Sequence, residues 1–228
     1  MTSGHTDKRF DEDLGRLKEA ILKTGTLVEE MIASSMQSLV ARDADRIKDV
    51  IEQEKEVNRM ELEIDDLCHR LLALHQPAAS DLRFIMIGLR ASKDLERIGD
   101  LAVNVADQAK EVNREAPLKP YVDLPRMAEK SQKMVKDALD AFVKKDSKLA
   151  QGVCLMDDEV DTLNDKLYEE LVSIMAHNPG AVTRGVRLIL VARHLERIAD
   201  HATNVAEEVI FMVEGRDIRH RRGTPNRV

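Results

Sequence analysis

Two stretches of this sequence carry carboxylates at a repeated spacing. Glu96 and Asp100 stand four residues apart, and so do Glu196 and Asp200. In a helix, residues i and i+4 share one face about a turn apart, so each pair points two carboxylates the same way. What faces each pair follows from hairpin geometry. Two antiparallel helices rise equally from their turn, so a residue n places after the turn faces one about n places before it. With a turn near residue 179, Glu196 faces the neighbourhood of 162 and Asp200 that of 158; Asp157 and Asp161 lie there, also at i and i+4. With a turn near 78, Glu96 and Asp100 face the neighbourhoods of 60 and 56, and Glu54 and Asn58 hold the places equivalent to Asp157 and Asp161.

Four ionised carboxylates at close quarters repel, and without cations some must take up protons. Such an oxygen-rich set suits a bound metal ion: iron, manganese, magnesium or zinc. The candidate ligands are Glu54, Asn58, Glu96 and Asp100 in the first half, and Asp157, Asp161, Glu196 and Asp200 in the second. Blander readings compete. Strongly charged helices hold many i,i+4 acid pairs that only solvate a surface, such as Glu52/Glu56, Glu61/Asp65 and Asp107/Glu111. Arg97 and Arg197 follow each Glu and are placed to form structural ion pairs. Repetition of E-x-x-x-D in both halves, with matching partners across the hairpin, favours the metal. His194 and His201 share a face of the last helix, but the first copy has Asp94 and Leu101 there, which leaves the histidines a local structural role.

The elements that must position these groups are helices. Apolar residues recur at three- and four-residue spacing, as in Leu14, Leu17, Ile21, Val28, Met31, Ile32 and Leu39, and strand-like alternation is absent. Breaks are expected near Asp43, Gln76-Pro77, Arg114 to Asp123, Asp146 and Asn178-Pro179-Gly180, leaving six helical segments. Asp43 and Asp146 suit N-caps, and Pro77 and Pro179 lack the N–H that a continuing helix needs. LERIGDLAVNVA at 95–106 returns as LERIADHATNVA at 195–206, with nine identities in twelve positions. Upstream, Pro77 pairs with Pro179 and Asp43 with Asp146. The expected fold is therefore all-α, a duplicated three-helix unit. The divisions expected are residues 1–113, a linker at 114–123, a second unit at 124–215 and a basic, disordered tail at 216–228.

Composition excludes several classes. Of 228 residues, 42 are Asp or Glu and 35 Lys or Arg, giving a formal charge of −7, which argues against a nucleic-acid partner. Ten Gly and six Pro are too few for a turn-rich sandwich or barrel. Cys68 and Cys154 sit in helical apolar patterns without metal or disulfide spacing and are expected as core thiols. The methionines are spread over core positions as gap fillers. Charges fill the first twenty residues, and no apolar run is long enough for a membrane span, so a cytoplasmic protein is expected. The chain shows no nucleophile–base pairing, no phosphate-cradling glycine loop and no catalytic residue to name.

The duplicated LERIxDxAxNVA, the stretch HQPAASDLRFIMIGLRASKDLERIGD at 75–100 and the opening HTDKRFDEDLGRLK at 5–18 resemble the PhoU family of bacterial phosphate-signalling accessory proteins. The resemblance spans residues 5–215. It implies two similar three-helix bundles side by side, whose E(D)xxxD motifs hold multinuclear metal clusters in some members. Those motifs fall on Glu96/Asp100, Asp157/Asp161 and Glu196/Asp200; the fourth, Glu54/Asn58, departs at Asn58. The implied role is a non-enzymatic adaptor, and a homodimer, between a PstB-like transporter ATPase and a PhoR-like sensor histidine kinase. It would keep the phosphate-starvation response off at high phosphate and restrain uptake, meeting the membrane only through its partners. Rival readings are a carboxylate-bridged metal protein with an oxidase or storage role, which needs an ExxH that this chain lacks, a phosphotransfer bundle using His194, and a coiled-coil scaffold, for which sustained heptads are missing.

Overall fold

A computed structural model describes residues 8–216. Within them the chain forms six long helices: α1 (Lys8–Val40), α2 (Ala44–His75), α3 (Ala79–Val112), α4 (Asp123–Lys144), α5 (Ser147–His177) and α6 (Val182–Glu214). A single 3-10 turn, Pro179–Ala181, leads into α6. No strand occurs among the described residues, so the all-α reading holds.

The helix ends have local causes. The Asp43 carboxylate accepts from the Asp45 N–H at 3.0 Å, and that of Asp146 from Lys148 and Leu149 at 3.0 and 3.1 Å, so both act as the N-caps their sequence positions suggest. Gln76, at φ 44°, turns the chain out of α2 just before Pro77. Gly215, at φ 67°, closes α6, its N–H donating to the Phe211 carbonyl at 2.9 Å.

α1, α2 and α3 pack on one another, as do α4, α5 and α6. The two triplets meet through α3 against α6, the most extensive helix pair in the molecule, and through α1 against α4. α2 and α5 touch only helices of their own triplet and form the outer edges. The α3–α6 pair is antiparallel: Arg90 meets Glu208 at 2.6 Å, Asp94 meets His201 at 2.8 Å and Gln108 meets Arg187 at 3.0 Å, one number rising as the other falls. A single core of buried apolar side chains runs through both triplets, with Phe84 and Phe142 stacked at 4.5 Å where they meet. Burying each such ring is worth about 1.5–3 kcal/mol.

The irregular segment between the triplets, 113–122, is pinned on both sides. Arg42 donates to the carbonyls of Asn113 and Glu115, Arg184 donates to that of Ala116, and Lys119 pairs with Glu170. Asp123, placed in the linker by the sequence, opens α4. Of the cysteines, Cys68 is a core thiol, while Cys154 is only half-buried, at the margin of the core. The expected basic tail lies outside the described residues apart from Arg216, which reaches Glu214 at 3.3 Å.

Candidate metal-binding face

The α5/α6 hairpin brings its acids together because its helices approach closely from the turn onward. Gly185 allows this: a Cβ there would lie 2.6 Å from the Met175 sulfur. About three to four turns further along α6, Glu196 and Asp200 reach the level of Asp161 and Asp157 on α5. Asp157 is 2% exposed, Glu196 partly buried, and Asp161 and Asp200 exposed. Burial pushes the Glu196 carboxyl above its ordinary value, and Asp200, Asp161 and Asp157 push it further, while Arg193 opposes them. The four acids of the second half therefore share one electrostatic neighbourhood, as the hairpin geometry predicts.

The α2/α3 hairpin places Glu54, Asn58, Glu96 and Asp100 together in the same way, all partly buried, but holds them differently. Asn58 donates through Nδ2 to the Glu54 carboxylate. Arg97 Nε lies 3.4 Å from Glu96 Oε2, and its Nη1 3.5 Å from Asp100 Oδ2. Burial raises the Glu96 carboxyl, Asp100 raises it further, Arg97 counters, and Glu61 and Glu54 add to the rise. Beside these groups is an open cavity of about 380 Å³ lined by Asn58, Glu61, Leu62, Lys93, Glu96 and Arg97.

Glu61 is the residue that sequence reasoning passed over as a surface acid. Its signal was present, since it stands seven residues, two full turns, beyond Glu54 on the same face of α2. In the second half the equivalent of Glu61 is Asn164, and the equivalent of Asn58 is Asp161. Each half thus keeps the same number of acids on this face, with one acid and one amide exchanged by a turn.

Among the described residues, no three His, Cys, Asp or Glu side chains are grouped, as they stand, to hold one metal ion. The carboxylates are near enough to repel without converging on a single point. The donor set of the second half, four acid side chains with Asp157 buried among them, still suits a hard cation. In the first half the acids touch the Asn58 amide N–H and the Arg97 guanidinium.

Of the two histidines on α6, His201 binds Asp94 of α3 through Nδ1 at 2.8 Å, a structural tie between the triplets. His194 is half-buried, with Nδ1 lacking a partner; burial, then Arg197 and Arg193, hold its pKa below the ordinary value.

A sequence model of the PhoU domain matches this chain twice, over residues 21–109 and 124–209. The chain belongs to the PhoU family. It is 40% identical over 217 residues to a phosphate-specific transport system accessory protein PhoU homolog from Pseudomonas aeruginosa, covering 95% of this chain and 90% of that one. It is 39% identical to the similarly named protein of Aquifex aeolicus over 209 residues, 92% of this chain and 95% of the relative. Among solved structures, PhoU from Pseudomonas aeruginosa superposes with a TM-score of 0.87 at 39% identity, covering 91% of this chain and all of that one. The phosphate transport system regulatory protein PhoU from Streptococcus pneumoniae gives 0.84 at 27% identity, over 92% of this chain and 99% of its own. The two PhoU domain matches take in both acidic hairpins, so all eight sequence-derived candidates lie within the matched segments.

Proposed function

We propose that this protein is the regulatory accessory of a high-affinity phosphate ABC transporter, acting in the cytoplasm as a homodimeric, non-enzymatic adaptor. One of its faces meets a PstB-like ATPase and the other partner is a PhoR-like sensor kinase; through them it restrains uptake and keeps the phosphate-starvation response off when phosphate is plentiful. The observation that carries this reading is the PhoU domain match in both halves of the chain. The names of the relatives support it, since those of Pseudomonas aeruginosa and Aquifex aeolicus are phosphate-specific transport accessories and that of Streptococcus pneumoniae a phosphate transport regulator. Among the described residues no helix is long and apolar enough to cross a membrane, and in this reading the membrane is reached only through the transporter.

The α5/α6 carboxylates are the working surface in this account. Asp157, Asp161, Glu196 and Asp200 would hold a divalent or trivalent cation, with iron, manganese, magnesium and zinc all suited to oxygen donors. A bound cation supplies positive charge that relieves the mutual repulsion of these acids. The chain's own contribution is to hold the carboxylates clustered on two rigid helices, where occupancy changes the charge of the face presented to a partner. Such a change biases partner choice only if the two partners differ in affinity for the loaded and unloaded faces.

Deleting the gene and following phosphate-starvation transcripts tests the assignment. The reading expects those transcripts to stay on at high phosphate and to be silenced when the gene is returned. Expression that still follows phosphate normally in the deletion strain would rule the regulatory role out.

A further inference from the structure

The α5/α6 hairpin carries a second feature on the lines that hold its acids. Asp161, Tyr168 and Met175 stand seven residues apart on α5, and Val182, Ile189 and Glu196 do so on α6, so each set runs along one side of its helix. The two lines border each other: a Cβ at Gly185 would meet the Met175 sulfur at 2.6 Å, and Asp161 acts on the Glu196 carboxyl. Away from the turn the lines are acidic, and toward it they are apolar. Tyr168, Val172, Val182 and Val186 are 40 to 54% exposed there, beside partly buried Met175 and Ile189. The patch is particular to this copy. On the α2/α3 hairpin the places of Tyr168 and Val172 belong to Asp65 and His69, which meet at 3.3 Å, and only Leu82 and Met86 keep the apolar character of Val182 and Val186.

Contiguous exposed apolar residues rimmed by charge mark interaction sites, and the sign of the rim selects the occupant. Asp165 and Glu169 flank Tyr168, both exposed, and neither makes an ion pair among the described residues. Nearby cations are engaged elsewhere: Lys166 lies 3.5 Å from Asp123, Arg184 3.1 Å from Glu115 and Arg187 3.0 Å from Gln108. With the four acids of the cluster, the strip holds six carboxylates against Arg193 and Arg197, a formal balance of −4. Anionic lipid and nucleic acid would bring like charge to this rim. A second copy docked patch to patch would set the same acids against one another. The chain's own basic end does not serve either. Val186 lies ~42 Å back along α6 from Glu214, and the residues 215–228 span at most ~50 Å fully extended, too little to lay a helix on the patch.

We infer that the apolar end of the α5/α6 hairpin, Tyr168, Val172, Val182 and Val186 with their acidic rim, docks a basic amphipathic helix of a partner protein. The apolar stripe of that helix covers the patch. Its Lys or Arg side chains meet Asp165, Glu169 and, ~15 Å further along the hairpin, the acidic cluster. The inference rests on the adaptor reading for the existence of a protein partner and not at all on bound metal.

Fluorescence anisotropy of the full chain with a fluorescein-labelled synthetic helix, Leu along one face and Lys on the other, tests this. Wild-type protein is expected to bind it, and to bind neither its scrambled isomer, which has no apolar face, nor its counterpart with Glu in place of Lys. Tyr168→Ser/Val186→Ser should weaken binding by about tenfold or more. Asp165→Asn/Glu169→Gln should weaken it about threefold and flatten its fall with salt. Leu82→Ser on the other hairpin should leave it unchanged, and thermal melts establish that each variant folds. No binding of the Lys helix, equal binding of the scrambled one, or full binding by Tyr168→Ser/Val186→Ser overturns the inference. So does a wild-type dimer that Tyr168→Ser/Val186→Ser converts to monomer in sedimentation velocity, which makes the patch an interface between copies. Cosedimentation with phosphatidylglycerol vesicles that the same variant abolishes overturns it too. None of these outcomes bears on the phosphate-starvation transcripts, so the docking inference and the adaptor reading fail separately.

Discussion

Replacing Glu196 with Gln should stabilise the metal-free protein at neutral pH. The side chain keeps its size and loses a charge that burial and three neighbouring acids disfavour. An i,i+4 partner lies about 5–6 Å away, and at that range two like charges in a water-like dielectric repel by roughly 0.7 kcal/mol. Three such neighbours give roughly 2 kcal/mol, and screening at physiological salt together with Arg193 about halves it. For a chain of this length, about 1 kcal/mol raises Tm by roughly 2–4 °C. The pH dependence fixes the sign. A carboxyl whose folded pKa is raised penalises folding only where it is ionised, so wild-type stability should fall as pH climbs from 4.5 through the raised value. The variant's advantage should accordingly be present at pH 7 and vanish below pH 4.5, where the wild-type carboxyl is already protonated. Melts of both proteins in EDTA across this range read the effect. If Glu196→Gln lowers Tm at pH 7 in EDTA, or its effect is the same at acid pH, then Glu196 belongs to a stabilising ion pair and the repulsive-cluster argument is wrong.

Other consequences of the structure are as direct. Phe142→Ala removes one ring of the stacked pair from a fully buried site and should cost about 3–5 kcal/mol, lowering Tm by more than about 6 °C; a smaller drop would mean that α4 does not close the core. The Asp94–His201 pair ties α3 to α6, so a double-mutant cycle with Asp94→Asn and His201→Gln should return a coupling of roughly 1 kcal/mol, and additive effects would show that the contact carries no stability. Burial pushes the Cys68 thiol up to about 12, so Cys68 should resist alkylation in the native protein while half-buried Cys154 reacts first; mass spectrometry of the labelled peptides distinguishes them.

What the sequence disclosed and what it concealed divide along physical lines. The helix ends were legible because their causes are local: Asp43 and Asp146 act on N–H groups two or three residues away. The pairing across each hairpin was legible too, since helices rise equally from a turn, which put Asp157 and Asp161 beside Glu196 with no other information. Glu61 was legible only in part: it stands two turns beyond Glu54 on one face of α2, but its relevance depends on which flank of that face the neighbouring helix covers. The Asp94–His201 tie joins residues 107 apart, and nothing local marks it. Arg97 spans Glu96 and Asp100, a contact that the motif alone does not reveal because Arg97 is equally free to turn to solvent. The segment 113–122 read as slack because its restraints, Arg42 and Arg184, come from distant helices.

The central claim, that the α5/α6 carboxylate face carries the regulation, meets its most direct test in a deletion strain complemented with the chain bearing Asp157→Asn, Asp161→Asn, Glu196→Gln and Asp200→Asn together. A phosphate-starvation reporter is read at high phosphate, with protein level and melting temperature matched to wild type. The account predicts that wild-type protein silences the reporter and the folded quadruple variant leaves it on. Silencing by the variant equal to that of wild type would contradict it.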